Sequence, residues 1–258
     1  MSKALTIAWR DFRSYFVSPI GFVIIAVFIL LMGWLFTASL ADFQRRSLEY
    51  VQYSRMQFGD LIQPPNLNHM FMNVLGNMGV IFLFLAPIIT MRLLAEEKKT
   101  GTMELLLTSP LRTAEIIFGK FFAALLLFSL ILLLSSPLPV ILFLAGNPAL
   151  GPVLTGYLGL FLMGASFLAL GLLFSAITEN QIIAASLTFG CALFFWIINW
   201  IAANANPTWE KILSYLSIIP HLGNFIRGLL DLQDGVYYLS FIALALFLAH
   251  RVLLSRTV

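Results

Sequence analysis

Charge-free, largely apolar stretches run from Ser14 to Ala41, Leu61 to Met91, Phe121 to Thr178, Asn180 to Trp209 and Gly235 to His250. A spanning helix needs about 20 mostly apolar residues, so the third stretch is long enough for two. Asn147-Pro148 and Gly151-Pro152 carry the turn-forming residues that divide it. The runs are continuous rather than alternating with period two, which argues against a β-barrel. The pattern predicts six spanning helices at about 19–41, 71–92, 115–144, 152–176, 181–202 and 236–254.

Shorter patterns fill the gaps. Leu5, Ala8, Trp9, Phe12, Tyr15 and Phe16 recur at helical spacing, with Lys3, Arg10, Asp11 and Arg13 on the other face. Residues 1–18 therefore read as an amphipathic helix along the membrane surface, with Trp9 and Tyr15 at headgroup depth. Ser18-Pro19 ends it and places Pro19 in the first turn of the first span. Residues Asp42 to Asn68 read as a loop broken by Pro64-Pro65. Within residues 203–235, Asn206-Pro207 starts a short helix that Pro220 should stop, and a second apolar piece runs from Phe225 to Leu232. Neither is long enough to cross, so both are expected as interfacial or re-entrant helices. Pro87, Pro137 and Pro139 should kink or end their helices. In the fourth span Gly156, Gly159, Gly164 and Gly171 fall on one face, smooth enough for a neighbouring helix backbone to approach closely.

Composition agrees with this pattern. The chain is 60% hydrophobic and 10% charged, with a mean hydropathy of +0.94, and is an all-α integral membrane protein forming a single domain over 1–258. Six spans put both termini on one side. Ten lysines and arginines lie there, from Lys3 to Arg256, against Arg45, Arg46, Arg55, Lys211 and Arg227 opposite. The positive-inside rule assigns the termini to the cytoplasm. The first apolar run is longer than a signal peptide's, so an uncleaved span is expected. The single cysteine, Cys191, excludes an intrachain disulfide, and no basic patch with interleaved aromatics points to nucleic acid.

Catalytic signatures are missing. The chain has no G-x-x-x-x-G-K-[ST] phosphate loop. His69, His221 and His250 are scattered, without a metal-ligand spacing. Ser166 has neither the G-x-S-x-G context nor an evident base. The adjacent pair Glu96-Glu97 invites an intramembrane hydrolase reading, but Lys98-Lys99 follow at once and a solvated face fits better. No charge sits mid-span, which disfavours proton or ion coupling through this chain alone.

One segment stands apart. Residues 92–120 hold nine of the chain's 27 charged side chains: Arg92, Glu96, Glu97, Lys98, Lys99, Glu104, Arg112, Glu115 and Lys120. Inside it, Thr100-Gly101 breaks the chain, Thr102 can cap a short helix with Glu104 in its first turn, and Ser109-Pro110 ends that helix. Thr113 can then cap the third span. A two-turn helix presenting Met103, Leu105, Leu106 and Leu107 would dock into a soluble partner's groove or into the headgroup layer.

The run from Arg92 to Arg112, RLLAEEKKTGTMELLLTSPLR, continuing to Glu115-Ile116 and Gly119-Lys120, resembles the segment after the second span in ABC-2 type transporter permeases. The resemblance covers essentially the whole chain. Tyr215 to Ser217, Pro220-His221, Phe225 and Arg227-Gly228 are similar to the gliding-motility-associated branch, close to nitrous-oxide-reductase-maturation permeases. It implies a bacterial inner-membrane subunit that is not itself an enzyme and pairs with a second permease. A separate ABC ATPase, which binds ATP and Mg, would drive the pair, with a periplasmic or membrane accessory protein as a further partner. It further implies a coupling helix in which Glu96, Glu97, Thr100, Gly101, Thr102, Glu104, Leu105, Leu106, Thr108 and Pro110 sit at the ATPase contact. The rival reading is a six-span scaffold or channel whose charged loop binds lipid headgroups.

Overall fold

The computed structural model describes residues 3–55, 63–108, 111–204 and 206–255, with the side chains of residues 105–107 and 145 outside the description. Every regular element among them is a helix: α1 Lys3–Val17, α2 Pro19–Arg55, α3 Leu67–Thr90, α4 Ala95–Lys99, α5 Thr102–Thr108, α6 Thr113–Leu134, α7 Pro137–Ala145, α8 Leu150–Ile177, α9 Gln181–Ala202, α10 Pro207–Leu216, α11 Ile218–Ile226 and α12 Leu232–Leu254. Six stretches are long and apolar enough to cross a membrane: Pro19–Arg55, Leu67–Lys99, Thr113–Leu144, Leu150–Ile177, Gln181–Ala202 and Leu232–Leu254.

The central helix is α8, which packs on α3, α6, α9, α11 and α12. Its small residues let those neighbours come close. A Cβ added at Gly164 would lie 1.9 Å from Phe128 Cζ on α6, and one at Gly171 would lie 2.0 Å from Thr90 Oγ1 on α3. Gly156 faces Leu75 of α3 and Gly159 faces Phe225 of α11. The four glycines thus serve three neighbours rather than one helix. Phe128 cannot yield easily, because it packs edge-to-face on Phe82, which stacks on Phe28 of α2. Gly164→Ala should therefore cost about 1–3 kcal/mol through overpacking. Gly190→Ala, where a Cβ meets nothing within 4 Å, should be near neutral. Unfolding midpoints of the two purified variants check the contrast.

The structure redraws several sequence boundaries. The helix of the first span does not end near residue 41, since α2 continues through the expected loop to Arg55. Asp42 to Arg55 contains no proline or glycine, so polarity there marks exit from an apolar phase rather than the end of a helix. The third span is interrupted at Ser135-Ser136, with Pro137 in the first turn of α7. Ser135 Oγ and Tyr157 Oη lie 3.0 Å apart across the break.

Between α9 and α12 the two short helices are placed differently from the sequence reading. Pro220 does not stop the first one, because α10 ends at Leu216 and Ser217 caps α11 by accepting a hydrogen bond from Ile219 N. Pro220 then sits in the first turn of α11, where its missing N–H costs nothing. The second helix is residues 218–226 rather than 225–232. Gly228, at φ +90°, turns the chain towards Asp231, whose side chain caps α12.

Candidate functional site

The charged segment after α3 is held from both sides. Leu94 N and Ala95 N, buried donors at the start of α4, both donate to Ser175 Oγ at the end of α8, at 2.9 and 3.0 Å. Lys98 Nζ donates to Ala176 O on the same helix end. One hydroxyl thus supplies the cap that the sequence of α4 lacks. Ser175→Ala would strand two buried N–H groups, and since each unsatisfied donor costs about 1–3 kcal/mol, thermal stability should fall measurably. Ser175→Thr should retain most of it.

On the other side lies a four-residue ion cluster. Lys120 of α6, with only 3% of its side chain exposed, places Nζ 3.1 Å from Asp11 Oδ2 of α1 and 2.7 Å from Glu97 Oε1 of α4. Arg10 completes the set, 2.8 Å from Asp11 Oδ1 and 3.6 Å from Glu97 Oε1. Two carboxylates and two cations balance. Buried ions need this kind of pairing, because desolvation would otherwise penalise each by several kcal/mol. Nearby, Tyr15 Oη donates 2.9 Å to Ile89 O, a carbonyl in the last turn of α3. Burial pushes the Tyr15 phenol up, keeping it a neutral donor. Gly119 admits α1 against α6, since a Cβ there would meet Ile7 Cβ at 2.8 Å.

Three sequence expectations fail here. Asp11 does not lie on a solvated face but points at Lys120, with 13% of its side chain exposed. Glu97 likewise leaves the solvated face expected for Glu96-Glu97, and its Oε2 is buried without a hydrogen-bond partner. Glu96 remains exposed. Lys120, counted by sequence within a water-facing loop, is the most buried charge of the cluster.

The turn from α4 to α5 is the exposed tip. Thr100 Oγ1 donates to Glu96 O at 2.9 Å and lies 3.0 Å from Thr102 Oγ1. Gly101 sits at φ +72°, the left-handed conformation that glycine reaches without a Cβ penalty. Thr102 is the first helical residue of α5 rather than its cap, and its hydroxyl turns back to Glu97 O. Thr113 is likewise helical, and α6 is capped instead by Glu115 Oε2 accepting from Arg112 N at 2.9 Å. Met103 is buried, while Glu104 and Thr108 are exposed. The side chains of Leu105 and Leu106, and Ser109 and Pro110 entirely, lie outside the described residues.

A second polar cluster, missed by sequence, occupies the opposite end. His221 Nδ1 is 2.5 Å from Asp234 Oδ1, its Nε2 is 2.8 Å from Tyr215 O, and its ring stacks 4.0 Å from Tyr237. Asn224 donates to Asp234 Oδ2 at 3.0 Å. A carbonyl only accepts, so Nε2 carries a proton, and the Asp234 contact needs one more. The pair ties α11 to α12 and to the end of α10. No group of three or more potential metal ligands occurs among the described residues.

No curated protein matches the chain significantly. The family model of ABC-2 family transporter proteins, however, matches residues 5–254, from the α1 helix to the end of α12. With six helices able to cross a membrane and a match over nearly its full length, the chain belongs to the ABC-2 transporter family and is a multi-pass permease component of an ABC transporter.

Proposed function

We propose that this permease transmits the ATP cycle of a separate ABC ATPase, which holds the ATP and Mg, to the membrane through the α4–α5 segment. The observation that carries the proposal is the double anchoring of that segment. Its tip, with Gly101, Thr102 and Glu104, is exposed, while its base is fastened to α8 through Ser175 and to α6 and α1 through Lys120. A push on α5 therefore reaches three helices at once, since packed elements pass displacement on rather than absorb it.

In this reading the segment and both termini lie in the cytoplasm, a placement that the lysine and arginine bias supports. The α1 helix lies along the inner leaflet, and α10 and α11 close the external end. A second permease subunit pairs through the least covered spans, α2 and α9. Span interiors without charge suit an apolar cargo, or mechanical force passed to an accessory protein. The test is copurification from membranes. An ABC ATPase should accompany the wild-type chain, and Glu104→Arg should weaken its retention at least about tenfold, equivalent to ~1.4 kcal/mol. Undiminished retention by this variant would contradict the placement of the contact; absence of any ATPase from the wild type would favour a scaffold or channel.

A further inference from the structure

A cavity of about 330 Å³ opens beside the ion cluster, walled by α1, the α1–α2 elbow and the segment after α3. Arg92, Glu96, Glu97, Lys120, Ser18 and Ile20 line it. Two of these leave buried polar atoms without a hydrogen-bond partner, Arg92 Nε and Glu97 Oε2. Native proteins keep few such atoms, because each loses its hydration without a replacing bond. One is a cationic donor and the other an anionic acceptor. Both atoms are shielded from the cavity, so an occupant meets the remainder of the Arg92 guanidinium and the exposed Glu96 carboxylate beside Glu97, and one that matches both carries an anion and a donor cation in one small group.

Position narrows the choice. Ser18 and Ile20 flank Pro19, where α2 begins, and Arg92 follows Met91, the residue that caps the end of α3. The cavity thus lies where spanning helices meet their aqueous ends, the depth of lipid headgroups. Beside it, Val17, Phe22 and Val23 are 88%, 59% and 58% exposed, an apolar flank on which acyl chains can lie. Ser18 Oγ accepts from Ile20 N and keeps its own proton to donate.

We propose that this cavity binds the zwitterionic headgroup of a phosphatidylethanolamine-type lipid. The phosphate sits on the Arg92 guanidinium and Ser18, the pairing for which a planar fork of donors is suited. The primary ammonium donates to the exposed Glu96 carboxylate, beside Glu97. Phosphatidylcholine offers no N–H donor, and phosphatidylglycerol offers no cation to meet the carboxylates.

Native mass spectrometry of the full-length chain, purified in mild detergent and titrated with each of the three lipids, tests this. One phosphatidylethanolamine should be retained in preference to both others. Arg92→Gln should cut its retention about tenfold, the scale of one charge-assisted hydrogen bond. Glu96→Gln, at an exposed position, should narrow the preference over phosphatidylcholine. Equal retention of all three lipids by wild type and variants would overturn the proposal, leaving annular lipid and ordered water. Competition by soluble glycerophosphoethanolamine at equal affinity would also overturn it, because the acyl chains would then contribute nothing. So would undiminished lipid retention by Arg92→Gln, since the guanidinium would then hold no phosphate. No ATPase is needed for the lipid titration, so its outcome is independent of the coupling proposal.

Discussion

Lys120→Met should unfold the end of the bundle where α1, α4 and α6 meet far more readily than any comparable exposed substitution, at a cost of about 3–5 kcal/mol. Methionine matches the lysine stem in length and preserves its packing, so the change isolates the charge. Without Nζ, Asp11 Oδ2 and Glu97 Oε1 lose their shared partner, which stands 3.1 and 2.7 Å away. Both carboxylates remain largely screened from water, with only the half-exposed Arg10 to balance them. Removing one partner of a buried ion set is costly because the remainder stays desolvated and unpaired. Adding Asp11→Asn and Glu97→Gln to Lys120→Met should recover much of the loss, since neutral amides tolerate that environment better. Chemical denaturation of the three proteins in detergent checks the series. A loss under about 1 kcal/mol for Lys120→Met would place the cluster among solvated surface pairs.

Gly101→Pro should abolish ATP-driven activity while leaving the transmembrane bundle intact. Gly101 holds φ at +72°, whereas proline is locked near −65°, and the Gly101 N donor to Lys98 O disappears as well. The chain beyond must leave α4 in another direction, so α5 and Glu104 no longer present themselves at the same place. Nothing lies within 4 Å of an added Cβ at this position, so sterics with neighbours do not enter. Gly101→Ala thus probes conformation alone, and its left-handed penalty of about 1–2 kcal/mol should give an intermediate loss. Coupled ATPase stimulation and unfolding midpoint, measured together, separate this from global damage. Full activity of Gly101→Pro would mean that the turn does not aim α5.

The parts of this architecture visible in sequence are those set by local pattern. Long charge-free runs mark six crossings because lipid demands them over some 20 residues. The RLLAEEKKTGTMELLLTSPLR run marks the α4–α5 segment because glycine, acidic and breaker residues stand close together in it. Contacts between distant elements left no such mark. Lys120 and Asp11 are separated by 109 positions, and each looks solvated in its own neighbourhood. Ser175 gives no hint that it caps a helix 80 residues earlier. His221 and Asp234 belong to different helices, and only the turn at Gly228 brings them together. Pro220 was ambiguous for a different reason: proline ends one helix and begins another equally well, and the Ser217 cap decides between them.

The central claim is that the α4–α5 tip is where an ATPase takes hold. A photo-crosslinking residue at exposed Glu104, compared with one at exposed Trp209 on α10, tests it most directly in intact membranes. Position 104 should yield an adduct with an ABC ATPase and position 209 none. An ATPase adduct at 209, or none at 104 while the complex still copurifies, would contradict both the topology and the coupling role assigned to this segment.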